Sequence, residues 1–193
     1  TLSEKFSATY AAALQGKAMV GKDCRTEVID SKVGAGAQML LVISAAKMAQ
    51  SGANLKQIAD RVRRAIPRVH VLVSFDTLEY LRRGGRIGKA QAFLGSLLKV
   101  NPIVGVKDGE TFPIARPRNR AQAMDFLVNF VKGVSRIEAV AIEDATTPDD
   151  LQTLAERLKD VVPPERIYRS KVSPVIGTHV GPHALAVAVL EAE

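Results

Sequence analysis

The stretch "PIVGVKDGETFPIA", Pro102–Ala115, limits the possible folds more than any other part of this chain. Two apolar runs flank Asp108-Gly109, a dipeptide that suits a two-residue hairpin turn because both central residues must take φ > 0. An antiparallel strand pair is therefore expected here. Helices and widely spaced strands surround it, so the sheet must be mixed and must have helices packed on it. The expected class is α/β.

Upstream, Lys5–Met19 reads as a helix that starts near Ser3 or Glu4, and Arg25–Ile29 as a short strand. Gly36–Gln50 is an alanine-rich helix ended by Ser51-Gly52. Asn54 caps a further helix through about Ile66, in which Leu55, Ile58, Val62 and Ile66 recur at helical spacing. Downstream, "VHVLVSF" is a strand, and "DTLEYLRRGG" a short helix capped by Asp76 and stopped by Gly84-Gly85. "KAQAFLGSLL" and Arg120–Val131 are helical, "IEAVAIE" is a strand, and Pro148–Val161 is a helix with Asp149 and Asp150 in its first turn. "RIYRSKV", "SPVIG" and "ALAVAVL" complete the strands. The character changes near Arg68. Residues 1–68 are expected to belong to a first α/β domain, and residues 69–193 to form a second with the mixed sheet. No linker separates them, so they should pack tightly.

Composition sets the outer limits. A chain of 193 residues with 47% hydrophobic and 24% charged residues can bury a core. No apolar run approaches the ~20 residues of a membrane span, and the opening "TLSEKFSATY" has no secretory pattern. A single cysteine, Cys24, excludes an internal disulfide framework and a cysteine-based zinc site, so a reducing cytoplasm is the expected compartment. Without Trp and with few aromatics, the chain lacks stacking platforms for single-stranded nucleic acid. The net charge of +7 is concentrated: Arg82–Arg120 holds nine basic residues against Asp108 and Glu110 alone, and so accounts for the whole excess. Such asymmetry points to a face that meets an anionic ligand or partner.

Four constellations could carry chemistry. In "YLRRGGRIGKAQAFLGSLL", Gly84-Gly85 lets the backbone turn and approach a ligand. A helix stop accounts for Arg82 and Arg83 at the negative helix end. It does not account for Arg86, which lies past the stop and suits bidentate contact with a carboxylate or phosphate. In "PVIGTHVGPHA", His179 stands between Gly177 and Gly181-Pro182, placed either to meet an anion or to be satisfied by backbone carbonyls. His70 and His183 read as structural, and Glu143, Asp144, Asp149 and Asp150 as a strand end followed by helix capping. The hydroxyls of Ser7 and Thr9 lie at a helix head, as an anion site or as ordinary caps. Last, Arg116, Arg118 and Arg120 in "ARPRNR" alternate along an extended segment and share a face.

These residues together resemble the DegV family of bacterial fatty-acid-binding proteins across the whole chain. The matching pieces are "TLSEKFSATY", "EVIDSK", "SFDTLEYLRRGGRIGKAQAFLGSLLKVNPI", "VKDGE" and "VIGTHVGPHA". The resemblance implies a two-domain fold with a parallel α/β/α first domain, incomplete in this chain, and a cleft for a long-chain fatty acid. It also implies no cofactor and a separate ATP-dependent fatty acid kinase that makes acyl phosphate for phospholipid synthesis, with transient contact to a membrane or acyltransferase. Arg86 and His179 match the family's carboxylate-binding pair, with Ser7 and Thr178 beside them and Gly84, Gly85, Gly177 and Gly181 shaping the loops. Arg82, Arg83, Arg116, Arg118 and Arg120 would face the kinase.

The sequence also departs from the family pattern. Glu4 stands where the family has a carboxylate-binding serine, Ala8 replaces a glycine, and Gly181-Pro182-His183 replaces Gly-Pro-Gly. Family members carry a further half-domain before this point, so the chain is expected to be a fragment. The function expected is a non-enzymatic carrier. The alternative is a His179-dependent enzyme of dihydroxyacetone-kinase-like fold acting on a small carbonyl or ester. It has against it the lack of a nucleotide motif and of a second catalytic partner. A nucleic-acid partner and a metal site are not expected.

Overall fold

The computed structural model describes residues 1–21, 24–96 and 100–193. Its centre is one sheet of six strands: β1 (Val69–Ser74), β2 (Ile103–Lys107), β3 (Glu110–Ala115), β4 (Ile137–Asp144), β5 (Ile167–Lys171) and β6 (Leu185–Glu191). Their order is β3-β2-β1-β6-β4-β5. Only β4 and β5 run parallel; every other neighbouring pair is antiparallel. The sheet is mixed, as the hairpin demanded. Asp108 (φ 52°) and Gly109 (φ 84°) turn the chain between Lys107 and Glu110.

The helices are α1 (Thr9–Met19), α2 (Ala35–Gln50), α3 (Leu55–Ala65), α4 (Glu79–Arg83), α5 (Arg120–Lys132), α6 (Pro148–Leu158) and α7 (Pro174–Val180). They cover both faces of the sheet. On one face Leu127, Val131, Leu154 and Leu158 of α5 and α6 pack on Val140, Ile142, Val187 and Val189. On the other, Ala37, Leu40 and Leu41 of α2 meet Ala139, Ala141 and Ala188, whose small side chains let the helix come close. β6 lies at the centre and is buried through six of its seven residues. Its sequence is therefore a continuous apolar run rather than an alternating one.

Several local expectations are corrected. Residues 3–6 form a turn, and the first helix starts only at Thr9. Ser3 is fully buried, its hydroxyl donates to the Gly109 carbonyl at 2.6 Å, and its own carbonyl accepts from Phe6 and Ser7. Arg25–Ile29 joins no strand ladder among the described residues, and the Ile29 carbonyl is taken by Thr1. Residues 1–68 therefore contribute helices and extended chain but no strand among the described residues. "SPVIG" begins a helix rather than forming a strand: the Ser173 hydroxyl accepts from Ile176 N and Pro174 occupies the first helical position, which together outweigh the β-branched Val175-Ile176. Asp76 does not cap α4. Its carboxylate instead pairs with His183 Nδ1 at 2.8 Å and accepts from Asn101, so His183 is satisfied by a carboxylate and not by backbone carbonyls. Gly88–Ser96 is a 3-10 helix; the Leu97-Leu98 end of that expected helix, with Lys99, lies outside the described residues. The helix from Pro148 ends at Leu158.

Candidate functional site

The end of α4 is built by the double glycine. Gly85 takes φ 68°, its N–H reaches the Arg82 carbonyl, and Arg86 N–H reaches back to the Leu81 carbonyl at 2.8 Å. This pattern of a residue in the left-handed region with paired backward hydrogen bonds is a Schellman stop. It delivers Arg86 to one place. There Nε donates to the Phe6 carbonyl and Nη1 to the Gly84 carbonyl, both at 2.9 Å, while Thr111 Oγ1 donates to the Arg86 carbonyl. A guanidinium has five N–H donors, so these bonds fix its plane without exhausting it.

His179 arrives on the last turn of α7 and is held by the same corner. A Cβ added to Gly84 would stand 2.2 Å from His179 Nδ1, so glycine at position 84 makes the seat for the imidazole. The converse seat is at Gly181 (φ 76°), where a Cβ would stand 2.2 Å from the ring of Tyr80. Each helix thus ends in a glycine that receives an aromatic ring from the other. His179 Nδ1 is buried, and no protein group among the described residues hydrogen-bonds it.

Arg86 and His179 share the wall of a cavity of about 390 Å³. Ser7 and Thr9 are also in that wall, their hydroxyls 2.6 Å apart. The remainder of the wall is mainly apolar: Val71, Val73 and Phe75 from β1 and its exit, Val104 and Val106 from β2, and Val172, Ile176 and Val180 around α7. The cavity crosses the sheet from Thr111 on β3 to Glu143 on β4, four strand spacings or roughly 19 Å. This shape has room for an extended apolar molecule, and Arg86 and His179 offer donors to an anion at one place.

The other expected site residues fall into distinct places. Glu4 is exposed and absent from the cavity wall; Thr178 is exposed and its hydroxyl donates to the Val175 carbonyl. Gly177 lies inside α7 rather than in a corner. Arg82 and Arg83 are exposed and grip Glu79, whose carboxyl they hold down at about 2 through hydrogen bonds from Arg82 and then Arg83. Arg116 lies over the Phe93 ring at 5.1 Å, and Arg118 is exposed. Arg120 departs from the expected row. It begins α5, is three-quarters buried, and donates to Asp150 Oδ2 at 2.7 Å.

Glu143, expected only as a strand end, is also a wall residue. Its signal was phase: Ala139, Ala141 and Glu143 alternate on the α2-facing side of β4, so a strand-end carboxylate had to point inward. Among the described residues no cluster of His, Cys, Asp and Glu is placed to hold a metal ion. No described helix is long and apolar enough to cross a membrane.

Arg86, His179 and the Ser7 and Thr9 hydroxyls thus open on an apolar cavity, in a mixed sheet covered by helices. The chain belongs to the DegV family: the family model described as "Uncharacterised protein, DegV family COG1307" matches residues 1–192. A DegV domain-containing protein of Caldanaerobacter subterraneus is 35% identical over 189 residues, covering 96% of this chain and 67% of that protein. A Streptococcus pyogenes serotype M1 relative is 33% identical over 192 residues, covering 97% of this chain and 67% of the relative. Among solved structures, a Thermus thermophilus DegV family protein, described by its fatty acid binding, superposes with a TM-score of 0.88 at 27% identity. That match covers 99% of this chain and 69% of the other. DegV of Bacillus subtilis, described as a fatty acid binding protein, gives 0.84 at 28% identity with the same coverage.

Proposed function

We propose that this protein binds a long-chain fatty acid, its carboxylate held by Arg86 and His179 and its acyl chain lying in the cavity across the strands. The supporting observation is the one wall that combines both cationic or donor side chains, the Ser7 and Thr9 hydroxyls and an otherwise apolar lining. Each methylene removed from water contributes about 0.8 kcal/mol, so the chain supplies affinity and the head-group residues supply orientation and selectivity. The fatty acid binding described for the Thermus thermophilus and Bacillus subtilis proteins agrees with this reading. On it, the two sequence regions that meet near Arg68 both line the ligand, and they share one core where α2 packs on the sheet.

The protein acts as a carrier that presents the acid to an ATP-dependent fatty acid kinase, which forms acyl phosphate for phospholipid synthesis. Exposed Arg82, Arg83, Arg116 and Arg118 are the docking candidates, and Arg120 is left to its pair with Asp150. The test is native mass spectrometry of the purified protein followed by denaturing extraction. A stoichiometric saturated or monounsaturated fatty acid is expected. A protein that carries none, and takes up none when palmitate or oleate is added, overturns the reading.

A further inference from the structure

Glu143 is a charge in the cavity wall that carboxylate binding does not use. Its side chain is built in. Oε2 accepts from Gly36 N at 2.6 Å, Oε1 accepts from Ser170 Oγ at 2.7 Å, and the residue is 5% exposed. A Cβ on Gly36 would stand 2.9 Å from Oε2, so the start of α2 is shaped around the carboxylate. No cation pairs with Glu143 among the described residues. An ionised carboxylate offers about four lone-pair sites, and the protein fills two.

The surroundings sharpen the point. Across the sheet, Glu143 pairs with Ala186, and Ala186 with Val73, both apolar members of the same wall. A plain hydrocarbon lying there takes water from the carboxylate and returns no hydrogen bond, which is unfavourable. A hydroxyl at that point donates to it in a charge-assisted bond. The position along the ligand follows from α7. Two residues separate that helix from β5, which carries Ser170 beside Glu143, and it ends at His179 and Val180. Its seven residues measure roughly 10 Å, and the four strand spacings from Thr111 beside Arg86 roughly 19 Å, so the acceptor lies between these distances from the head group, beside the middle and outer part of a long chain.

Resting on the fatty-acid reading above, we infer that the cavity is matched to a long-chain fatty acid bearing a mid-chain hydroxyl, with Glu143 accepting that hydroxyl's hydrogen bond. The test is the ratio of dissociation constants for stearate against 10- and 12-hydroxystearate, by displacement of a fluorescent fatty acid, in the wild-type protein and in Glu143→Gln. The glutamine keeps a carbonyl oxygen for Gly36 N–H, and a ratio taken within one preparation is insensitive to partial unfolding. The wild type is expected to favour at least one hydroxystearate by about tenfold, falling to about twofold or less in Glu143→Gln as the charge is lost. Stearate bound as tightly as both hydroxystearates, or a preference unchanged in the variant, overturns the role of Glu143 alone. Failure of all three acids to bind the wild type overturns the fatty-acid reading beneath it.

Discussion

At the scale of single residues, the proposed site depends on two side chains in the cavity wall, Arg86 and His179, and on two glycines that leave room for rings. Arg86→Ala and His179→Ala are each expected to weaken binding of a free fatty acid by ten- to a hundredfold, with under threefold loss for its methyl ester. Equal losses for the two ligands in a titration would remove the carboxylate from this corner. Gly84→Ala tests the seat itself. The added methyl would stand 2.2 Å from His179 Nδ1, with the Tyr80 carbonyl 3.1 Å away, so the ring must leave. We expect a loss of about 1–3 kcal/mol in unfolding free energy, as overpacking gives, together with the binding defect of His179→Ala. Glu79 offers a prediction in pH. Its carboxyl, held at about 2 against a usual 4.5, gives its ion pairs with Arg82 and Arg83 in full above pH 4.5, and they are lost as pH falls through about 2. An NMR titration of the Glu79 carboxyl should show that low midpoint, and Arg82→Ala should move it upward.

At the scale of elements, α7 links packing to the proposed site, because it carries His179 into the cavity wall and has no fully buried residue of its own. Removing its N-cap with Ser173→Ala should cost about 1 kcal/mol of stability and weaken fatty acid binding measurably. Asn54→Ala removes the capping box of α3, far from the cavity wall, and should cost a similar stability with no change in affinity. Thermal melts and binding isotherms on the two variants separate cap loss from site loss. This element also marks the limit of what the sequence discloses. The hairpin, the capping box at Asn54 and the glycine stop before Arg86 are local, and turn chemistry made each of them legible. Ser173-Pro174 was also local, but β-branched Val175-Ile176 masked it. Ser3, read as a helix start, is set by a hydrogen bond to a residue 106 positions away, and no window of sequence contains both ends. Glu143 is an intermediate case: the phase of β4 turns it inward, but its partner Gly36 lies 107 residues earlier. Arg86 and His179 stand out in the sequence because each lies within two residues of a glycine that ends a helix, Gly85 and Gly181, both at positive φ. Arg120 was misplaced because its partner, Asp150, belongs to another helix.

At the scale of the whole molecule, the cavity and the sheet share one wall, so the choice of ligand and the stability of the fold are linked. A saturating fatty acid at a hundred times its dissociation constant should add about 2.7 kcal/mol to the unfolding free energy, seen as a rise in melting temperature that the methyl ester reproduces only in part. Val73→Phe narrows the cavity between β6 and β2. Its effect is expected to fall on chain length: affinity for the longest acids drops about tenfold, while shorter ones are retained.

The paired seats of Gly84 with His179 and Gly181 with Tyr80 also bear on how the two helices can change. Each end leaves room for the other's ring, so a side chain added at Gly84 is felt by α7 and one added at Gly181 is felt by α4. The packing of each helix is thus written partly into the sequence of the other, and the two can vary only together.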